Sequence, residues 1–417
     1  MKNLLNFLNK SYTAYQCVDL IEEYLINNNF VRLDEKQSWN LEDGKNYYVI
    51  RDESSIIAFK KGKEFKFGIV ATHTDSPCFK LKNNPDIQTE YYTRLNVEKY
   101  GGCIPYTYFD RKLKIAGRII KENGSSLQSE HVVSDFNLNI PSVAIHMGTP
   151  NSADFNIQND LLPLSSLSKS DVINKLCGED KPIDYDLYLV PADDAFVSGV
   201  NNDFVCAPRL DNKTSVLASM QALVDCDYNN ISIACAFDSE EIGSTTKQGA
   251  NSTFLTDVLY KISVACNKDN NALIAALNDT LFVSLDNAHA MHPNHTEKAD
   301  PTNKCLMNNG IVVKHHANQS YTTDGYSSAI IKKIFKDNNV KYQDFFNRSD
   351  MRSGSTLGAI SSSHVSVKSV DLGLAQLAMH SYSETFCFND YLTLVNGLIA
   401  YYNTKIDVQG NDVILSK

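Results

Sequence analysis

Short apolar runs alternate with amphipathic stretches along most of the chain, and polar or acidic residues follow several of the runs. Runs rich in β-branched and aromatic residues predict strands, and apolar positions at helical spacing predict helices between them. Strands that alternate with helices are typical of an α/β fold. Outside the middle of the chain, the predicted strands are residues 47–50, 55–59, 67–72, 231–237, 281–285, 311–316, 340–346 and 365–373. The predicted helices there are residues 11–29, 214–223, 243–252, 323–336 and 388–402.

The pattern changes between about residues 85 and 202, where the candidate strands are short and are separated by turn residues such as Gly101 and Gly102. We read this part as a mostly β insertion, with a short helix within residues 165–178. The chain is therefore predicted to have a mixed central sheet flanked by helices, built from residues 1–84 and 204–417, and an inserted β-rich domain at residues 85–203. The length of 417 residues suits this division.

Three acidic residues, Asp238, Glu240 and Glu241, follow the buried strand predicted at residues 231–237. Ligands of open α/β sheets bind outside the carboxyl ends of the strands. Two adjacent glutamates at such a place repel each other unless a cation or protons compensate. A metal site, in which one glutamate ligates and the other moves a proton, explains the pair; a solvated acidic loop is the alternative.

Other strand ends and turns carry similar residues, which are His73, Asp75, Asp211, Asp286 and His380. Two of them also have a structural interpretation, His73 as an ordinary buried histidine and Asp211 as a helix N-cap. Asp75 lies two residues after His73 and can orient its ring or hold a neighbouring ligand. Together, histidines and carboxylates without adjacent cysteines suit zinc, manganese or cobalt, and a carboxylate that bridges two such ions makes a hydrolytic centre.

Composition limits the alternatives. The formal net charge of −10 argues against nucleic acid or an anionic membrane as the main partner, since both require a basic surface. No stretch approaches the roughly 18 apolar residues of a membrane helix. The ten cysteines include no Cys-x-x-Cys pair, and the first residues lack the long apolar run of a signal peptide, so we expect a cytoplasmic location.

The order of these motifs resembles the aspartyl aminopeptidases, the M18 family of the dinuclear zinc exopeptidase clan. The resemblance extends over nearly the full chain. The segments that carry it are residues 71–77 (Ala-Thr-His-Thr-Asp-Ser-Pro), 140–146 (Ile-Pro to His146), 209–212 (Arg-Leu-Asp-Asn), 238–244 (Asp-Ser-Glu-Glu-Ile-Gly-Ser), 286–294 (Asp-Asn-Ala-His-Ala-Met-His-Pro-Asn) and 377–381 (Leu-Ala-Met-His-Ser).

The resemblance implies a zinc exopeptidase-like catalytic domain that holds two divalent metal ions, with zinc as the first candidate and manganese or cobalt as alternatives. Asp211 would bridge the ions, Glu240 would be the general base, and Asp75 would support a ligand. The implied ligands of one ion are His73, Asp211 and Asp286, and those of the other are Asp211, Glu241 and His380.

The resemblance also implies release of an N-terminal aspartate or glutamate from peptides, with His289 and Lys314 contacting the acidic side chain or the substrate carbonyl. His146 would reach a neighbouring subunit's active site from the insertion, which would serve in dimerisation and in covering the substrate. The assembly would be a homo-oligomer, a dodecamer built from dimers. One departure is Arg352-Ser353-Gly354, where the family commonly has Pro-Cys-Gly. A broader aminopeptidase or deacylase, and an inactive assembly or cargo protein, are the alternative functions.

Overall fold

The computed structural model describes residues 1–148, 155–178, 180–351 and 353–416. Its strands, numbered in chain order, are β1 (Phe30–Arg32), β2 (Asn46–Arg51), β3 (Ser55–Lys60), β4 (Phe67–His73), β5 (Cys78–Gln88), β6 (Thr93–Tyr100), β7 (Leu113–Asn123), β8 (Ser126–Val133), β9 (Leu164–Ser166), β10 (Asp184–Pro191), β11 (Phe196–Ser198), β12 (Phe204–Ala207), β13 (Ile231–Phe237), β14 (Leu281–Leu285), β15 (Ala288–His289), β16 (Ile311–His315), β17 (Tyr342–Phe346), β18 (Lys368–Gly373), β19 (Ala375–Leu377), β20 (Glu384–Cys387), β21 (Lys405–Gln409) and β22 (Asp412–Ser416).

The α-helices, numbered in the same way, are α1 (Lys2–Lys10), α2 (Ala14–Asn27), α3 (Ile157–Asp160), α4 (Val172–Cys177), α5 (Leu210–Asp225), α6 (Phe254–Ala265), α7 (Asn270–Asn278), α8 (Gly325–Asp337), α9 (Leu357–Val365) and α10 (Phe388–Tyr402). Side-chain caps begin several of them. Thr13 accepts the backbone N–H of Tyr15 at the start of α2, and Asp324 forms a capping box with Ser327 at the start of α8.

The central sheet has nine strands in the order β1-β2-β3-β13-β4-β14-β18-β16-β17. Strands β13, β4, β14 and β18 run parallel to one another. Strand β3 is antiparallel to β2 and β13, and β16 is antiparallel to β18 but parallel to β17. Every residue of β3, β4, β13 and β14 is buried, because helices cover both faces of the sheet. The predicted α/β class, with a mixed central sheet flanked by helices, is confirmed.

A second sheet of six strands, in the order β8-β7-β10-β5-β6-β9, is built from the middle of the chain. Its strand pairs are antiparallel, and it has a hydrophobic core of its own that includes Phe79, Tyr108 and Leu187. Strand β5 runs through residue 84, so this sheet begins before the predicted boundary. The division at residues 85 and 203 remains a prediction.

A third sheet joins distant parts of the chain in the order β11-β12-β20-β19-β15. Strand β12 immediately precedes the first turn of α5, and its residue Ala207 pairs with Glu384 of β20. Strand β19 pairs with both β15 and β20. This small sheet therefore brings the segments that follow β14 and β19 next to the start of α5.

One local prediction differs from the structure, and two elements of the structure were not predicted. Residues 243–252 form turns after a 3-10 turn at Glu240–Ile242, and the helix begins only at Phe254. Helix α9 was not predicted; it ends where the strand predicted at residues 365–373, observed as β18, was expected to begin, and it packs against β14 and β18. The hairpin of β21 and β22 was also not predicted; all but one of its residues are partly buried or exposed.

Candidate metal centre

Three adjacent parallel strands deliver polar side chains to the same edge of the central sheet. His73 is the last residue of β4, Asp286 directly follows β14, and Glu240 and Glu241 follow β13. Since β13 and β14 flank β4, these side chains converge at the carboxyl ends of the strands. This convergence is the one predicted from the sequence.

Asp211 and His380 reach the same place from irregular backbone. Asp211 lies in the first turn of α5 with non-helical angles, φ −79° and ψ 110°. The residue at the N-cap position is Arg209, so the alternative reading of Asp211 as an N-cap is wrong. His380 follows β19 in the left-handed region, with φ 67°.

The two histidines face opposite sides of Asp211. His73 Nε2 lies 3.6 Å from Asp211 Oδ1 and 3.5 Å from Asp286 Oδ1. His380 Nε2 lies 3.4 Å from Asp211 Oδ2 and 3.2 Å from Glu241 Oε1. In each of the two groups the candidate ligand atoms lie within 4.8 Å of one another, and Asp211 belongs to both.

A further grouping of comparable spacing joins His73 with Glu240 and Glu241. We favour Asp286 over it as the partner of His73, because His73, Asp211 and Asp286 are all buried. Glu240 is more open, with 15% of its side chain exposed, and it lines the adjacent cavity. Glu240 is thus free to act on a ligand in the cavity.

Three buried carboxylate oxygens of this cluster, Asp211 Oδ1, Glu241 Oε1 and Asp286 Oδ1, accept no well-formed hydrogen bond from the described residues. Their nearest polar neighbours are the Nε2 atoms of His73 and His380. An unpaired buried carboxylate oxygen is costly unless a cation compensates it. The oxygen and imidazole donors match the ligands that zinc prefers. The residues therefore fit divalent cations.

The electrostatics of the cluster lead to the same conclusion. Burial, followed by the charges of Asp286 and Glu241, raises the pKa of Glu240 well above its ordinary value. Burial opposes protonation of His380, but its contacts with Asp211 and Glu241 raise the pKa of its ring to about 12. The acids thus require positive charge at this edge of the sheet, which a histidine or a metal ion can supply.

Asp75 supports the turn that carries the two glutamates. Its Oδ1 accepts the backbone N–H of Glu240 at 3.1 Å, and its Oδ2 accepts that of Glu241 at 3.1 Å. Tyr100 from the end of β6 donates its hydroxyl to Oδ2 at 2.8 Å, and Oδ1 is 3.4 Å from His73 Nδ1. Burial opposes ionisation, but His73 and Tyr100 hold the pKa of Asp75 below its ordinary value.

Glu384 and Tyr100 are residues of the centre that sequence reasoning missed. Glu384, at the start of β20, accepts backbone N–H groups at its two carboxylate oxygens, from His380 at 2.6 Å and from Asp211 at 2.9 Å. Only 2% of it is exposed. The sequence carries no local signal for this role, because the burial that makes a glutamate unusual here is visible only in the structure.

A cavity of about 430 Å³ opens from the cluster. Lys314 of β16 forms part of its wall, with its Nζ 3.4 Å from Asp286 Oδ2 and 3.3 Å from the backbone oxygen of Asn287. Burial opposes the charge, but Asp286 and other acids raise the pKa of Lys314. The cavity wall thus contains candidate metal ligands, the Glu240 side chain and the buried Lys314 ammonium group.

His289, the last residue of β15, is an exposed residue that also lines the cavity. Desolvation by the surrounding wall and the positive charge of Lys314 lower the pKa of His289. A neutral ring can both donate and accept a hydrogen bond. Desolvation and Lys314 thus favour the neutral form of His289, which can hydrogen-bond a ligand in the cavity.

His146 lies apart from this group. It is exposed on the 3-10 turn Ile145–Met147 and is not among the described residues that line the cavity. Gly354 does line the cavity, and the Ser353 hydroxyl donates to its backbone oxygen at 2.7 Å. Arg352, the first residue of the predicted departure from the family pattern, lies outside the described residues.

No helix in the described ranges is long and apolar enough to cross a membrane. The sequence matches the family model described as Aminopeptidase I zinc metalloprotease (M18) over residues 7–402. A probable M18 family aminopeptidase 2 from Clostridium novyi is 38% identical over 422 residues, which cover 96% of this chain and 98% of the relative. A probable aspartyl aminopeptidase from Ricinus communis is 32% identical, with 93% and 92% covered.

Solved structures show the same similarity. The chain superposes on the cryo-EM structure of the Ape4 and Nbr1 complex with a TM-score of 0.91 and 33% identity, covering 96% of this chain and 85% of the other. Its TM-score with the mApe1 dodecamer of S. cerevisiae is 0.83 at 27% identity, and 96% and 95% of the two chains are covered.

Proposed function

The chain belongs to the M18 family of zinc metalloproteases and is a metallo-aminopeptidase, and on this premise we propose that it releases N-terminal aspartate or glutamate from peptides. The observation that carries the proposal is the cavity in which the ligand cluster, Glu240 and the buried Lys314 ammonium meet. The name of the Ricinus communis relative, a probable aspartyl aminopeptidase, supports it.

The proposal includes two zinc ions per chain, with manganese or cobalt as alternatives. His73, Asp211 and Asp286 would hold one ion, and Asp211, Glu241 and His380 the other, so that Asp211 bridges them. When bound, such a pair polarises the scissile carbonyl and makes water a better nucleophile near neutral pH. The unpaired oxygens of Asp211, Glu241 and Asp286 support this assignment.

Glu240 is the proposed general base and acid. Its carboxylate takes a proton from the attacking water and delivers it to the nitrogen of the leaving peptide. Glu240 suits this task because its side chain lines the cavity and its pKa is raised by burial and by neighbouring acids. Asp75 holds the backbone N–H of Glu240 and thereby fixes the direction from which the carboxylate acts.

Lys314 and His289 are the proposed contacts of the substrate. A carboxylate that leaves water needs a charge-assisted partner, and the Lys314 ammonium lies in the cavity wall. Part of its charge is balanced by Asp286, at 3.4 Å. His289 contributes a hydrogen bond to the acidic side chain or to the scissile carbonyl.

The proposed assembly is a dodecamer built from dimers, as the name of the similar mApe1 structure suggests. The exposed position of His146 supports a role in a neighbouring subunit, since it is outside this chain's own cavity. Mass measurement in solution tests the assembly. His146→Ala in an intact dodecamer tests the residue, and it should lower turnover without changing metal content.

The deciding experiment combines metal content with turnover of Asp, Glu, Leu and Lys peptide substrates, before and after chelation. We expect two metals per chain, chelator-sensitive preference for Asp and Glu, and loss of turnover in Glu240→Gln with both metals retained. Lys314→Met should reduce the preference for acidic substrates. A Leu preference would refute the specificity and indicate a broader aminopeptidase, whereas absence of metal and turnover after remetallation would favour an assembly or cargo protein.

A further inference from the structure

The backbone at two of the candidate ligands receives no support from regular secondary structure. Asp211 lies in the first turn of α5, where a backbone N–H has no helical acceptor. His380 lies between β19 and β20 in the left-handed region, which is strained for a residue with a side chain. Such backbone keeps one geometry only where the surrounding structure fixes it.

Glu384 supplies that support to both residues at once. Its Oε1 accepts the N–H of His380 at 2.6 Å, and its Oε2 accepts the N–H of Asp211 at 2.9 Å. The residue is 2% exposed, so these bonds form away from water. A buried backbone N–H that loses its acceptor is costly, so both bonds hold their loops in one geometry.

The third sheet explains how one side chain reaches two such distant segments. Glu384 pairs with Ala207, the last residue of β12, and the chain then enters the first turn of α5. On its other side, Glu384 lies four residues after His380, at the end of the loop that leaves β19. The side chain is thus anchored by a strand ladder, and its two oxygens face the two loops.

We propose that Glu384 is a positioning residue that presets the metal site formed by Asp211, Glu241 and His380. The inference rests on the proposed two-metal function, and it concerns the backbone of the ligands rather than their side chains. His380 belongs only to this site, whereas Asp211 belongs to both. Loss of Glu384 therefore weakens this site most and the site of His73, Asp211 and Asp286 less.

Glutamine at residue 384 tests the two-acceptor geometry. It has nearly the same shape, but it offers one acceptor oxygen, and its amide nitrogen must face an N–H group. One of the two backbone N–H groups then loses its partner. Changes of residues that orient metal ligands typically lower metal affinity about 10- to 100-fold.

Asp390 provides a matched control. It is also a buried carboxylate, 1% exposed, that accepts two backbone N–H groups, from Gly310 at 2.7 Å and from Asn308 at 2.5 Å. It does not line the cavity among the described residues. Asp390→Asn therefore removes a similar pair of hydrogen bonds at a place that holds no candidate ligand.

The experiment titrates zinc into metal-free wild-type, Glu384→Gln and Asp390→Asn proteins in the presence of a competing chelator, and records Tm in parallel. We expect one of the two zinc equivalents to bind about 10- to 100-fold more weakly in Glu384→Gln, with excess zinc restoring turnover. In Asp390→Asn both zinc affinities should equal those of the wild type, even where Tm falls by a similar amount.

Two outcomes would overturn the inference. The first is a folded Glu384→Gln protein in which both zinc equivalents bind as in the wild type. The second is equal loss of zinc affinity in Glu384→Gln and Asp390→Asn, which would indicate general destabilisation. If Glu384→Gln does not fold, Glu384→Asp is tested in its place. If neither variant folds while Asp390→Asn does, Glu384 is needed for folding and the proposed positioning role is refuted. A wild-type protein that binds no zinc refutes the proposed function instead.

Discussion

Replacing Asp75 with asparagine is the sharpest test of how the glutamate turn is held. In the structure, the carboxylate accepts the N–H groups of both Glu240 and Glu241 and the hydroxyl of Tyr100. Asparagine keeps one acceptor oxygen and places an NH₂ group where the other stood. The N–H of either Glu240 or Glu241 then faces the NH₂ group and loses its acceptor.

The magnitude follows from these contacts. Breaking one hydrogen bond to an ionised acceptor, which leaves a buried donor unsatisfied, costs about 1.5–3 kcal/mol. Since about 1.4 kcal/mol corresponds to a tenfold change in rate, we expect kcat/KM of Asp75→Asn to fall by roughly 10- to 10²-fold.

The assay compares kcat/KM on an Asp-peptide substrate with metal content, for Asp75→Asn and for Tyr100→Phe. The second variant removes only the hydroxyl and leaves both N–H contacts of Asp75 in place, so its loss should stay within about tenfold. The reasoning is refuted if Asp75→Asn retains its metals and its kcat/KM stays within about fivefold of the wild type.

Two other predictions concern different parts of the molecule. Burial opposes the charge of His131, but its hydrogen bonds with Asp19, at 2.7 Å, and Glu53, at 3.4 Å, raise its pKa to about 9. A raised histidine pKa stabilises the fold below the unfolded value of about 6.5 and loses this effect as pH rises through about 9. His131→Gln should therefore lower the free energy of unfolding by about 1 kcal/mol at pH 6 and change little at pH 10, as urea denaturation can show; a difference independent of pH would contradict the assignment. In Gly102→Ala, the added Cβ would lie 3.2 Å from His380 Nδ1, so the ring must shift by a few tenths of an ångström, and zinc affinity and kcat/KM should fall about 3- to 10-fold; unchanged zinc affinity would show that the ring adapts freely.

The convergence of the candidate ligands was predictable because it follows from strand order. His73, Asp286 and the two glutamates each come after an apolar run, and parallel strands end at one edge of a sheet. An apolar run followed by an acid or a histidine can be recognised from the local sequence alone. The same holds for α10, whose helical spacing gave the observed bounds Phe388–Tyr402.

Residues that support the ligands were not predictable in this way. Glu384 and Tyr100 act on groups far away in sequence, and their roles depend on how the third sheet and the end of β6 pack. Helix α9 was missed because Ser361, Ser362 and Ser363 have weak helix propensity, and it is packing against β14 and β18 that stabilises the helix. The proposed role of His146 depends on a neighbouring subunit, which a single chain does not contain.

The five-stranded sheet also imposes an order on maturation. Strand β12 emerges from the ribosome long before β20, its hydrogen-bonding partner, and until then the first turn of α5 has neither its neighbouring strand nor Glu384. His73 and Asp286 are made earlier than His380, which arrives with the last part of this sheet. On the proposed ligand set, a nascent chain gathers only part of the ligands before β20 is made, and complete metal loading would follow synthesis of β20. Because metal binding is coupled to folding, a full complement of the proposed zinc ions would report that the carboxyl-terminal strands have docked, and a chain that stops before His380 would lack one of the proposed ligands.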